Sequence, residues 1–238
     1  MYLVHETCTL YGCQVTGDRL TKAAVAERAL RLADEEGLEA VTVRRLAKEL
    51  GVTPMALYWH FKNKDELFLG MVDHMLSGVR SDPRAGESWQ KRLRAVVETV
   101  IGVMRAHPSL PTLLHSVDKT RTESFNRATN DTLALLTEAG FTVEEGFWVA
   151  SYLLNGCIGI VGAQPGCPPG LPSEQEPEWR RQKRVQLEGM PADRFPMMIE
   201  LASSYRDEPD MERYYAFCAD LLLAAVESMA AAAGSQHR

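Results

Sequence analysis

Between Val41 and Lys64 the chain carries five cations, Arg44, Arg45, Lys48, Lys62 and Lys64, against one anion, Glu49. The last two cations follow Tyr58, Trp59, His60 and Phe61 in the run GVTPMALYWHFKNKDEL, residues 51–67. These residue types break no bonds together. They suit the capture of a polyanion. Lysine and arginine neutralise phosphates, tyrosine and histidine tips bond phosphate oxygens, and arginine can pair with guanine O6 and N7. The whole chain has a net charge of −6, which excludes a uniformly basic coat. A local charge of +4 on that acidic body directs one face toward a nucleic acid.

Other chemistry is poorly supplied. His107, His115 and Asp118 lie close in sequence, but no nucleophile motif, metal-ligand spacing or phosphate loop accompanies them. An enzyme is not expected, nor is a metal or a cofactor. The five cysteines are scattered, and Cys8 and Cys13 do not form a CxxC pair. This usage implies reduced thiols and a cytoplasmic protein. The start, MYLVHETCTLYGCQVTG, has neither a basic n-region nor a long apolar run, so it reads as a mobile tail over 1–17 and not as a signal peptide. No membrane span is expected.

Positioning the cations falls to helices. Val25, Ala29, Leu32 and Ala33 repeat at helical spacing within 20–36, and Gly37 stops that segment. Thr42 caps a second helix with Val43, Leu46, Ala47 and Leu50 on one face, and Gly51 ends it. Thr53 caps a third, short helix. Pro54 is tolerated there because the first turn has no use for its missing N–H. Asn63 caps a fourth helix from Lys64, whose first turn holds Asp65 and Glu66 where the dipole favours them. Beyond Ser81-Asp82-Pro83, apolar segments cover roughly 87–106, 110–118, 122–139 and 143–163. A proline-rich stretch, Gln164–Pro177, reads as a loop, and 191–204 and 210–232 read as helical. The expected fold is all-α, with a tail (1–17), a helix-turn-helix domain (18–66) and a larger helical domain (67–232).

Helix, glycine turn, helix, with Leu46, Ala47 and Leu57 facing inward, has the shape of a helix-turn-helix. The stretch LTKAAVAERALRLADEEGLEAVTVRRLAKELGVTPMALYWHFKNKDELF resembles the DNA-binding domain of the TetR family of bacterial transcriptional repressors. The resemblance is dense over about 20–78 and most specific at LYWHFKNK. AGESWQ (85–90), EAGFTVEEG (138–146), RFPMMIELA and FCADLLLAAVE resemble the tetracycline-repressor branch of C-terminal domains.

The resemblance implies a double-stranded DNA operator as partner. Arg44, Pro54, Met55 and Ala56 would face base edges. Tyr58, Trp59, His60 and Lys64 would hold phosphates, joined by Thr42 and Thr53. Pro-Met-Ala at 54–56 offers only apolar contacts to bases, so the operator would differ from that of the tetracycline repressor. A homodimer is implied, built on 143–163 and 210–230. Gly156, Gly159 and Gly162, with Ala216, Ala219 and Ala224, would permit close helix approach.

The larger domain is implied to sense a largely hydrophobic small molecule. Val96, Val100, His115, Thr129, Thr132, Phe147, Ala150, Ser151 and Asn155 would line its pocket, with Trp89, Met104 and Trp148 nearby. Asp118 is the partner expected for a buried His115. The branch's drug-contacting histidine, asparagine and late acidic residue align with Gly78, Val96 and Ala163, so tight binding of tetracycline–magnesium is not expected. The alternative is a constitutive DNA-binding regulator whose larger domain only dimerises.

Overall fold

In the computed structural model, residues 20–79, 86–168 and 171–236 are described. The expected tail, 1–17, lies outside them. The described elements are all helical: α1 (Lys22–Glu36), α2 (Val43–Glu49), α3 (Pro54–Tyr58), α4 (Lys64–Leu76), α5 (Trp89–Ala106), α6 (Leu110–Ser116), α7 (Glu123–Glu138), α8 (Val143–Gly162), α9 (Glu176–Glu188), α10 (Pro196–Leu201) and α11 (Met211–Gln236), with short 3-10 turns between.

Local capping explains the first four starts. Thr21, Thr42, Thr53 and Asn63 each accept a hydrogen bond from the backbone N–H three residues on, at 3.1, 3.2, 3.3 and 2.8 Å. Each bond satisfies a donor that the helix itself cannot. Pro54 stands in the first turn of α3. Gly37 and Gly51 adopt φ of 87° and 67°, a left-handed region costly for other residues, so α1 and α2 end there. The caps set α1–α3 around a small core of Val25, Ala29, Leu32, Leu46, Ala47, Leu57 and Phe61, all buried. That core continues through Leu67, Met71 and Met75 of α4 into the larger helical body.

Around α4, the body packs α5, α7, α8 and α11 together, and α6 sits beneath α4 and α8. Thr142 and Glu145 form a reciprocal capping box at the start of α8. Arg94 reaches Asp220 at 2.7 Å, and Arg105 pairs with Glu212, so α5 and α11 are pinned at two levels.

Three departures from the sequence expectations have physical reasons. The supposed loop ends early: Pro177 lies in the first turn of α9, obeying the rule that admits Pro54 to α3. The expected helix at 191–204 starts only at Pro196, which cannot sit inside a helix but opens one. Finally, Met211–Ala232 is long and apolar enough to cross a membrane, contrary to expectation. Its Tyr215, Ala219, Leu222, Leu223, Val226 and Ala230 are nevertheless buried against protein. Asp220 and Glu212 on the same helix are paired with arginines of α5. It is a packing helix whose alanines carry the apolar run.

Candidate nucleic-acid interface and effector cavity

α3 is five residues long and buries only Leu57. Its remaining surface is open: Met55 is 65% exposed, Tyr58 47% and Trp59 83%, with Pro54 exposed beside them and Ala56 and His60 half-buried. Large side chains left this open in a row mark a contact surface. Trp59 therefore does not pack beneath the start of α4, whereas Phe61 and Phe68 do serve the core.

The cations divide. Arg45 is committed, bonding Glu49 and Glu36 at 2.7 Å each. The hydrogen bond from Arg45 holds the Glu49 carboxyl below its ordinary range. Lys64 lies 3.6 Å from Glu39 and over the Phe68 ring. Glu36 and Glu39 precede the window from which the +4 charge was read, so that charge overstates the free patch. The side chains of Arg44, Lys48 and Lys62 show no carboxylate partner among the described residues, although the Lys62 backbone N–H donates to Glu66 at 2.9 Å. Thr42 and Thr53 use their oxygens as caps, and each hydroxyl hydrogen remains available to an acceptor.

The body holds a cavity of about 100 Å³ between α4, α7 and α8, lined by Leu76, Phe125, Ala128, Thr129, Thr132, Phe147, Ala150, Ser151 and Leu154. It brings together five residues expected at an effector site: Thr129, Thr132, Phe147, Ala150 and Ser151. Leu76, Phe125, Ala128 and Leu154 were not expected there. Their apolar periodicity is that of ordinary core, and only the packing of α4, α7 and α8 shows them at a void. Thr132 turns its hydroxyl back to the Ala128 carbonyl at 2.8 Å, so the lining it offers is its methyl face.

Four expected residues lie elsewhere. Val96 is core on α5, and Val100 is half-buried against that core. Asn155 is exposed and donates to the Ser151 carbonyl at 2.9 Å. His115 is exposed and forms no pair with Asp118, whose Oδ1 accepts instead from the Thr120 backbone and hydroxyl. The need for a partner assumed a buried ring, and this one is solvated. Of the neighbouring expectations, Met104 is fully buried core, Trp89 is half-buried and Trp148 is 60% exposed.

Trp148 belongs to a third surface. On α8, Phe147, Trp148 and Tyr152 are exposed, and on α11 Phe217, Leu221 and Met229 are exposed. A recess of about 430 Å³ between these helices is lined by Trp148, Tyr152, Ala225 and Met229 among others. The small residues do two jobs. A Cβ on Gly156 would stand 2.6 Å from Leu222 of the same chain, so Gly156 serves packing of α8 on α11 within the subunit. Ala219 is likewise buried, whereas Gly159, Ala216 and Ala224 are exposed.

Known proteins match this arrangement. Residues 25–71 match the model of bacterial regulatory proteins of the tetR family, and 82–230 match the tetracyclin repressor-like C-terminal domain. The class D tetracycline repressor of Escherichia coli is 34% identical over 152 residues, 60% of this chain and 66% of that protein. The alignment thus spans slightly under two thirds of that relative's length. The HTH-type transcriptional repressor DrrR1 of Streptomyces coeruleorubidus is 28% identical over 197 residues, 77% of this chain and 69% of its own. The crystal structure of ActR from Streptomyces coelicolor in complex with actinorhodin superposes with a TM-score of 0.73 at 23% identity, covering 90% of this chain and 99% of that one. That likeness concerns the fold. With both family models matched in order and most of the chain covered, the protein belongs to the TetR family of DNA-binding transcriptional regulators.

Proposed function

We propose that the chain is a homodimeric transcriptional repressor, released from a palindromic operator by a largely hydrophobic small molecule. The observation that carries the DNA half is the open face around α3, where Met55, Tyr58 and Trp59 stand exposed and the side chains of Arg44, Lys48 and Lys62 have no carboxylate partner among the described residues. Residues 18–66 form the reading head and 67–232 the effector-binding and dimerising body, with the tail over 1–17. Arg44, Pro54, Met55 and Ala56 address base edges. Tyr58, Trp59, His60, Lys64, Thr42 and Thr53 hold phosphates, which set register without reading sequence.

One short helix reads few bases, so two heads are needed, about one helical turn (about 34–36 Å) apart. The exposed apolar faces of α8 and α11 supply the dimer contact as a four-helix bundle. The effector enters the cavity between α4, α7 and α8 and moves α4, changing the head separation. It must bind the DNA-incompetent state better, or it shifts nothing. The protein acts in the cytoplasm. The relatives named as repressors support the repressing mode.

A second reading, a constitutive DNA-binding regulator, is favoured by one observation. A cavity of about 100 Å³ is small beside the roughly 300–1,000 Å³ of ordinary ligand pockets. A gel shift on the DNA upstream of the protein's own coding sequence, at a stated salt concentration, separates the two. Release by a hydrophobic compound supports the effector reading. A specific complex that no member of a broad panel releases supports the constitutive one.

A further inference from the structure

α6 and α7 begin without a cap of their own. Neither Ser109 nor Thr122 accepts a capping hydrogen bond on its side chain. The first amides of a helix have no intrahelical acceptor and must find one elsewhere. Two carboxylates, one from α1 and one from α4, provide it. Asp34, near the end of α1, accepts with Oδ1 from the Ser109 backbone N–H at 3.0 Å and from the Ser109 hydroxyl at 2.7 Å. Its Oδ2 lies 2.8 Å from His107 Nδ1, which carries the proton toward the carboxylate. Asp73, midway along α4, accepts with Oδ1 from the Ser124 backbone N–H at 2.8 Å.

Both aspartates are half-buried, where bonds to a charged acceptor are stronger than neutral ones. Neither lies on the open face of α3. Their partners are placed where the body would feel a ligand. Ser124 directly precedes Phe125, which lines the cavity, and α7 continues that wall through Ala128, Thr129 and Thr132. Any displacement of the first turn of α7 therefore pulls on α4 through Asp73. Displacement of the α5–α6 turn pulls on α1 through Asp34.

We propose that Asp34 and Asp73 are positioning residues: Asp34 holds the reading head, and Asp73 holds α4, which leads from the head into the body, at a set angle to the rest of the body by capping α6 and α7. This role rests on the DNA-regulator reading above. Apolar packing along α4 joins the same parts but is not directional. A carboxylate bonded to a specific amide has one register.

The test uses the full-length chain as wild type, Asp34→Ala, Asp73→Ala and Asp34→Asn, each checked for native helicity. Hydrogen exchange read by mass spectrometry comes first and needs no DNA. The segment holding Ser109 should exchange about tenfold or more faster in Asp34→Ala, and that holding Ser124 in Asp73→Ala. Asp34→Asn keeps an acceptor for the Ser109 N–H and should stay near wild type. DNA selected by the wild-type chain from a random pool is then compared with a copy whose half-sites are moved apart by less than a helical turn. The ratio of the two Kd values should fall about threefold or more in both alanine variants. A merely structural defect lowers the active fraction and shifts both Kd values alike. An unchanged ratio in both variants, or wild-type exchange at both segments, overturns the proposal. If the wild-type chain selects no DNA, the regulator reading fails and takes the positioning role with it. The exchange result then still shows whether the two carboxylates hold the junction.

Discussion

α3 and the α7–α8 wall carry function in opposite ways. α3 is five residues long, keeps Leu57 in the core and exposes Pro54, Met55 and Tyr58. Its working residues are neighbours in sequence, held by two caps and a glycine turn. The wall is two helices of 16 and 20 residues whose working residues are scattered between Phe125 and Leu154 and meet only through packing. The proposed surface reader is thus encoded locally, and the proposed internal sensor is encoded by the whole body. Damage to the first should change DNA affinity alone, and damage to the second should change only the response to a ligand.

The largest expected effect lies outside both, at the surface proposed to join two copies. Replacing Trp148 and Phe217 together by glutamate puts charges on the apolar faces of α8 and α11. Light scattering should then find a monomer, and operator affinity should fall by about a hundredfold or more, because the second head no longer binds in the same event. Next comes the reading surface itself. Arg44→Ala should cost about 1–3 kcal/mol on the selected site and relax preference at one base pair. Lys48→Ala should weaken all sequences alike and reduce the salt slope by about one. Arg45→Ala should lower Tm and leave the salt slope unchanged, since Arg45 is occupied by Glu36 and Glu49. If Arg45→Ala matches Lys48→Ala, the division of cations drawn from the structure is wrong.

A smaller effect is expected at the cavity. Ser151→Leu fills part of the void and should weaken release by any active compound about tenfold while leaving operator Kd near wild type. The overpacking itself should cost about 1–3 kcal/mol of stability in a denaturant titration. The smallest effect concerns Cys157, buried on α8 in the body. Burial pushes its thiol up to about 12, so almost no thiolate exists at neutral pH. Alkylation followed by peptide mapping should find Cys157 unmodified in the folded protein and modified after denaturation.

Legibility followed the same contrast. The caps at Thr42, Thr53 and Asn63 and the stops at Gly37 and Gly51 act over three or four residues, and sequence periodicity finds them. The burial of Leu46, Ala47, Leu57 and Phe61 follows from helix period alone. α9 was not legible: EPEWRRQKRVQLE buries only Leu187 and is held by its Arg–Glu pairs and the Trp179–Tyr205 ring contact, which no apolar period records. His115 was misplaced because helix phase at the end of a seven-residue helix does not say which side the body covers. The neutralised Arg45 was missed because its partner Glu36 comes from α1, nine residues away. Gly156 and Gly159 look alike in sequence, and only the position of Leu222 separates the packing glycine from the exposed one.

Whether the open face around α3 reads DNA is decided by selecting binding sites from a random duplex pool with the full-length chain, in parallel with a variant carrying Arg44→Ala and Trp59→Ala. The wild-type chain should enrich a palindrome with half-sites about one helical turn apart, bound in a salt-sensitive complex, and the variant should enrich nothing. Equal enrichment of one palindrome by both proteins, or of none by the wild type, would contradict that reading.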